Sequence, residues 1–162
     1  MTDGVPGRIQ AQFERMRALA RSADLSARNE RVSAWCLAEQ LDHVTKVTLS
    51  VVNVLGNPDA PRLDGGINVL GRLVLWLNWI PRGVGKSPSR LRGAPAVAAD
   101  LDGAIGRLTA AFDALPFDAL RASRVPVVRH PRFGSLTPPQ ALRFLEVHTH
   151  HHLKIIDDML RT

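Results

Sequence analysis

Four imidazoles occupy the five positions His148-Thr149-His150-His151-His152 near the end of the chain, and two of them fall where a helix should be apolar. Along Leu145, His148, His152, Ile155 and Met159 the steps alternate between three and four residues, the spacing that keeps side chains on one helix face. Leu145, Ile155 and Met159 are core-type residues, so His148 and His152 share their seam. Two imidazoles on a buried face cost desolvation unless something holds them, and a divalent transition metal is the most economical partner. His150 faces the far side of the helix and His151 a flank, so both read as bystanders. The tract lies inside an amphipathic pattern with ten residues after it, which argues against an expression tag.

A catalytic-type zinc, nickel or iron site needs three protein ligands and one open position. The best third candidate is His43, at the edge of the apolar stripe of an earlier helix, one turn from Val47 and from Glu39. A ligand pair from one helix and a single ligand from a facing helix is the usual way a bundle core builds such a site. Taken alone, His43 reads better as a boundary histidine with a hydrogen bond; with two core-facing histidines elsewhere seeking a partner, the ligand reading prevails. His130, between Arg129 and Pro131, is the rival third ligand, less preorganised because it lies in a loop. Glu39 could orient a ligand or take a proton from metal-bound water; the alternative is an ordinary exposed helix carboxylate. Imidazole suits zinc, nickel, iron and copper alike, so the residues leave the ion open.

Other chemistry is weaker. Cys36 sits where a helix N-terminus would stabilise a thiolate, but a small residue beside Trp35 reads better as packing. Gly85-Lys86-Ser87 mimics the end of a phosphate loop; Ile80 stands where the pattern needs glycine and no strand precedes it, so that motif is rejected. His-Glu-x-x-His, Gly-x-Ser-x-Gly and paired-cysteine motifs are absent.

The elements that must position these residues are punctuated by eleven prolines. Ile9, Phe13, Met16, Ala20 and Ala23 follow one helical face. After a polar break over 24–31, a second helix starts near Ser33 as N-cap and stops at Gly56-Asn57-Pro58, with Leu37, Leu41, Val44, Val47, Val51 and Leu55 as its stripe. A third covers about Ile67 to Ile80, ended by Pro81. The fourth shows Val97, Leu101, Ile105, Leu108, Phe112 and Leu115 at helical spacing before Pro116. Residues 117–136 read as an irregular connection with a short extended piece over 125–128, and Thr137-Pro138 reads as N-cap and first position of the last helix. No period-two run is long enough to build a sheet. The fold class is therefore all-α: a bundle of four main helices plus a short extra segment, five helical stretches in all, in one domain spanning 1–162 with residues 1–5 as a disordered lead.

A chain of 162 residues is one domain by prior. Its longest apolar run, Val69 to Ile80, is broken by Arg72 and Asn78 and falls short of the ~20 residues a membrane span needs. No signal peptide is visible, and the single cysteine fits a reducing compartment, so a cytoplasmic protein is expected. The net charge of +6 gathers in two loops, Arg82, Lys86, Arg90 and Arg92 in one and Arg121, Arg124, Arg129 and Arg132 in the other. Neither contains the Trp or Tyr that single-strand binders interleave, and no helix has a continuous basic face. A solvated basic surface is the preferred reading, ahead of an anion-binding rim and well ahead of nucleic acid.

Three segments together resemble the DinB-like superfamily. Trp35-Cys36-Leu37-Ala38-Glu39-Gln40-Leu41-Asp42-His43 is similar to its second-helix motif, a Trp followed eight residues later by a His. His130-Pro131-Arg132-Phe133-Gly134-Ser135-Leu136-Thr137 resembles the lead-in to the last helix in one uncharacterised branch, and His148-x-x-x-His152-Leu153 the closing metal pair. The resemblance runs from about Ile9 to Arg161. It implies a DinB-like four-helix bundle, often a homodimer, with a three-histidine metal site at one end, and His43, His148 and His152 as the ligands. It also implies metal-dependent chemistry on a small-molecule substrate: thiol S-transfer with a low-molecular-weight thiol, isomerisation with such a thiol, or hydrolysis. Relatives often carry Gln three residues after the final His, where this chain has Ile155.

Overall fold

In a computed structural model, which describes residues 4–82 and 89–161, the chain is built around four long helices: α1 (Val5–Ser22), α2 (Leu37–Leu55), α4 (Ala98–Asp113) and α6 (Pro138–Leu160). Helices α1 and α2 each pack against both α4 and α6 and barely touch one another, so they stand on one diagonal of the bundle. The expected stripes form a continuous core. Ile9, Phe13 and Met16 of α1 meet Leu101, Ile105, Leu108 and Phe112 of α4 with none more than 2% exposed, and Phe13 sets its ring edge-on to Phe112. Leu37, Leu41, Val44, Val51 and Val52 of α2 and Ala141, Leu145 and Ile156 of α6 close the other side.

The helix ends explain most departures from the periodicity. Helix α2 starts at Leu37, four residues later than Ser33, with Cys36 as N-cap. The Ser33 hydroxyl is taken by the Trp35 N–H and the Gln40 amide, and the preceding loop is tied down by Leu37 N–H to Ala27 O and Ala38 N–H to Leu25 O. A short helix, α3 (Val69–Leu77), ends at Asn78, which takes the left-handed conformation at φ 54°; the stop comes before Pro81. At its other end Asn68 caps by accepting from Gly71 N, and Ile67 bridges to Gly134. Val97 is the N-cap of α4 and 63% exposed, which removes it from the core stripe expected for that helix. Helix α6 opens on Thr137 and Pro138 as the sequence predicts, with Gln140 Oε1 accepting the Thr137 N–H.

The stretch expected to be irregular holds two small elements. Helix α5 (Phe117–Ala122) makes a sixth α-helix among the described residues, one more than the five helical stretches expected from periodicity. Strands β1 (Val128–His130) and β2 (Gly134–Leu136) form an antiparallel pair with Val128 opposite Leu136 and His130 opposite Gly134. Three residues per strand are too few for a period-two pattern, and the pair is fixed by tertiary contacts: Ser135 Oγ donates to Asp64 O, and Gly134, at φ 87°, lies so close to Gly66 O that a Cβ would meet it at 2.5 Å. Helix α1 already includes Val5, with Gly4 as N-cap, so positions 4 and 5 do not belong to the disordered lead expected there; residues 1–3 lie outside the described residues. The rejected motif Gly85-Lys86-Ser87 lies outside the described residues. Among the described residues no helix is long and apolar enough to cross a membrane.

Candidate metal centre

His43 comes from the middle of α2, His148 and His152 from successive turns of α6, and packing of these two helices brings the three rings together. Ring centroids are 5.2 Å apart for His43 and His148, 4.8 Å for His43 and His152, and 4.6 Å for His148 and His152. One nitrogen from each ring lies within 4.8 Å of the others, so ligands each ~2.0–2.1 Å from one ion would require the rings to draw closer together. The structure therefore gathers three buried imidazoles that could hold a metal ion. His130, the rival, is elsewhere: it stacks on Phe133 at 4.1 Å, and Phe144 stands between it and His148. His130 Nδ1 accepts the N–H groups of Arg132 and Phe133, so it works as the anchor of the β1–β2 turn. His150 is exposed on the outer face of α6, and His151 sits on its flank with its ring 5.1 Å from that of His152.

Two of the three rings are backed by acceptors. His43 Nδ1 lies 2.5 Å from the carbonyl oxygen of Leu91 and His152 Nδ1 lies 2.6 Å from Gln40 Oε1. A carbonyl or amide oxygen can only accept, so each Nδ1 carries its proton and each Nε2 keeps a lone pair, the form in which imidazole binds a metal. His148 Nδ1 is sealed from solvent with no hydrogen-bond partner. An orphaned buried nitrogen beside two correctly protonated imidazoles fits a metal, because coordination is one way to satisfy it. His43 is 3% exposed, whereas His148 and His152 keep partial exposure as whole residues.

The electrostatics keep the rings neutral. Burial pushes all three below the usual histidine range, His148 and His152 well below it; His43 is partly pulled back by the Leu91 carbonyl and the nearby Asp42. No proton has to be displaced for them to act as ligands near neutrality. Trp35 lies edge-on to His43 at 5.0 Å and Phe144 lies beside His148 at 5.3 Å, so apolar rings wall the cluster.

Glu39, one turn before His43, points its carboxylate elsewhere. It accepts the Cys36 N–H at 2.7 Å as the return arm of the α2 capping box and pairs with Arg28 at 3.2 Å. The acceptor facing an imidazole is its neighbour Gln40. The other backing group, Leu91 O, belongs to a short 3₁₀ turn (Ser89–Leu91) whose following residues strap across α2. Ala94 N donates to Asp42 Oδ2, Lys46 Nζ donates to Arg92 O, and Gly93 lies against the Glu39 carbonyl. Cys36 is the buried N-cap of α2.

A four-helix bundle with three converging imidazoles, two on one helix and one on a facing helix, defines a class of helical proteins with a core site for a transition ion. The chain belongs to the DinB superfamily, whose family model matches residues 8–156. Neither a curated protein nor a solved structure matches the chain significantly.

Proposed function

We propose that His43, His148 and His152 bind one divalent transition ion, zinc, nickel or iron, and that the protein is a metal-dependent enzyme of S-transferase type acting on a small molecule. The observation that carries this reading is the trio of buried, neutral imidazoles with at least two lone-pair nitrogens preset by Leu91 O and Gln40. When bound, such an ion supplies Lewis-acid chemistry, lowering the pKa of a coordinated low-molecular-weight thiol or water so that it is a nucleophile near neutrality. The chain's own part is to hold the ion with the three rings and to exclude bulk water with Trp35 and Phe144. Neutral acceptors, a main-chain carbonyl behind His43 and an amide behind His152, would leave the ion's charge available to a thiolate or hydroxide. Cytoplasmic residence fits the single free cysteine, and a homodimer fits the exposed apolar face of α3.

The deciding experiment is the metal content of tag-free protein by elemental mass spectrometry, with His43→Ala alongside. About one equivalent in the wild type, lost in the variant, supports the trio; no metal in either after reconstitution overturns it. A change in the visible spectrum of the cobalt-loaded protein on adding a physiological thiol then supports the thiol reading. Burial of the ligand nitrogens favours one rival, a metal that only fastens α6 to α2. On that reading the spectrum is inert to every thiol, and His148→Ala costs stability with no activity to lose.

A further inference from the structure

The three rings differ in what stands behind them. His43 is backed by a main-chain carbonyl, which no side-chain substitution removes, and His148 Nδ1 by nothing. His152 is backed by a side chain, and that side chain is itself held. Gln40 is 2% exposed. Its Oε1 accepts from His152 Nδ1 at 2.6 Å while its Nε2 donates to Ser33 Oγ at 2.8 Å. Ser33 Oγ is fixed in turn by the Trp35 N–H at 3.0 Å, so a chain of hydrogen bonds runs from the loop before α2 to the ring on α6.

The direction of that chain decides what His152 can do. With the amide oxygen toward the ring, Nδ1 must donate, and Nε2 keeps its lone pair. Turned over, the amide would present N–H to the ring; Nδ1 would have to accept, and the proton would move to Nε2 and block it. We propose that Gln40 is a positioning residue that holds His152 in the Nδ1–H form, with its amide tethered by Ser33 Oγ. An apolar residue of similar size would fill the space but leave both tautomers open. A glutamate would accept from Nδ1 as the amide does and hold the same form, at the cost of a buried charge.

The tautomer is a property of the metal-free protein, so this inference rests on the ligand reading only where affinity is concerned. Long-range ¹H–¹⁵N correlation spectra of the ¹⁵N-labelled metal-free protein at about pH 7.5 report which nitrogen of His152 carries hydrogen. The expected result is Nδ1–H in the wild type and in Gln40→Glu, and a shift toward Nε2–H or a mixture in Gln40→Leu, with Ser33→Ala, a milder change outside the helix, moving the same way. Competition with a chromophoric chelator for Zn²⁺ should show Gln40→Leu weakened ~10–100-fold and Gln40→Glu restored to within a few-fold of wild type. An Nε2–H form in the wild type overturns the proposal, as does an unchanged tautomer in both Gln40→Leu and Ser33→Ala. A tautomer that switches in a protein that takes up no metal sinks the proposed function and leaves the role of Gln40 standing.

Discussion

Histidine burial sets the acid response of this molecule, and His130 shows how. Its Nδ1 accepts two main-chain N–H groups, from Arg132 and Phe133, which only the neutral ring can do. Burial, helped by the nearby Arg132, pushes its pKa down to about 4 from an ordinary 6.5. The folded state therefore binds fewer protons than the unfolded state between those two values. Stability is unpenalised above about 6.5, falls as the pH drops through this window, and levels off near 4. The urea midpoint should be lower at pH 5 than at pH 7.5, with part of that loss absent in His130→Phe; an equal loss in both would remove His130 as a contributor. The imidazole trio follows the same sign, so metal affinity should fall less between pH 8 and pH 6 than it would for histidines of ordinary pKa. The trio was legible because a 3.6-residue period put His148 and His152 among Leu145, Ile155 and Met159. Gln40 is missed by the sequence reading, which has Glu39 as the polar candidate on α2, although its place between Leu37 and Val44 on a buried stripe is the signal that marks it. The Leu91 carbonyl was not legible, since a main-chain acceptor has no side-chain signature.

Helix starts and stops show what periodicity leaves out. The α2 stripe is evident from Leu37 to Leu55, but where the helix begins depends on which hydroxyl is free to cap it, and Ser33 is committed to Trp35 and Gln40. Residues 128–136 form strands of three, held by contacts to Asp64, Gly66 and Asn68 that local sequence does not encode. Two predictions belong at this scale. Glu39→Ala removes the carboxylate that accepts the Cys36 N–H and should cost ~0.5–2 kcal/mol in chemical denaturation, with metal content unchanged; loss of metal instead would return Glu39 to the site. Gly93→Ala tests the strap. A Cβ there would lie 1.8 Å from the Glu39 carbonyl oxygen, a main-chain atom that cannot step aside, so the strap must lift from α2 and carry Leu91 O away from His43. Stability should fall by ~1–3 kcal/mol and zinc affinity should weaken with it. A variant as stable as wild type would mean the strap does not bear on the helix as closely as its atoms indicate.

At the scale of the whole molecule, α3 leaves unfinished business. Gly71, Val74 and Leu75 are buried, and Arg143 donates to Leu75 O from α6, so one face is committed to the bundle. On the other, Val69, Leu73 and Trp76 form a row at helical spacing with Leu70 and Leu77 beside it and Trp79 just beyond; Val69 and Trp76 are 81% and 79% exposed. Two tryptophans of ~150–250 Å² each and four aliphatic side chains make a patch at or beyond the ~300–600 Å² found on ordinary monomers, close to the ~800 Å² per partner of a stable interface. A lipid surface would call for a cationic flank; α3 itself carries only Arg72, and Arg82 just beyond it is paired with Asp158. A second copy asks for no charge at the contact, and one stripe can meet itself across a two-fold axis. Two chains of net charge +6 repel at long range while the contact is apolar, so the dimer should tighten as salt rises, the reverse of what an anionic partner would do. Sedimentation equilibrium at tens of micromolar should give twice the 17.7 kDa chain mass for the wild type and the single mass for Leu73→Glu/Trp76→Glu. Both positions face solvent in the monomer, so the helical circular dichroism should not change. A wild type that sediments as a monomer at every salt concentration would leave the face to a different partner.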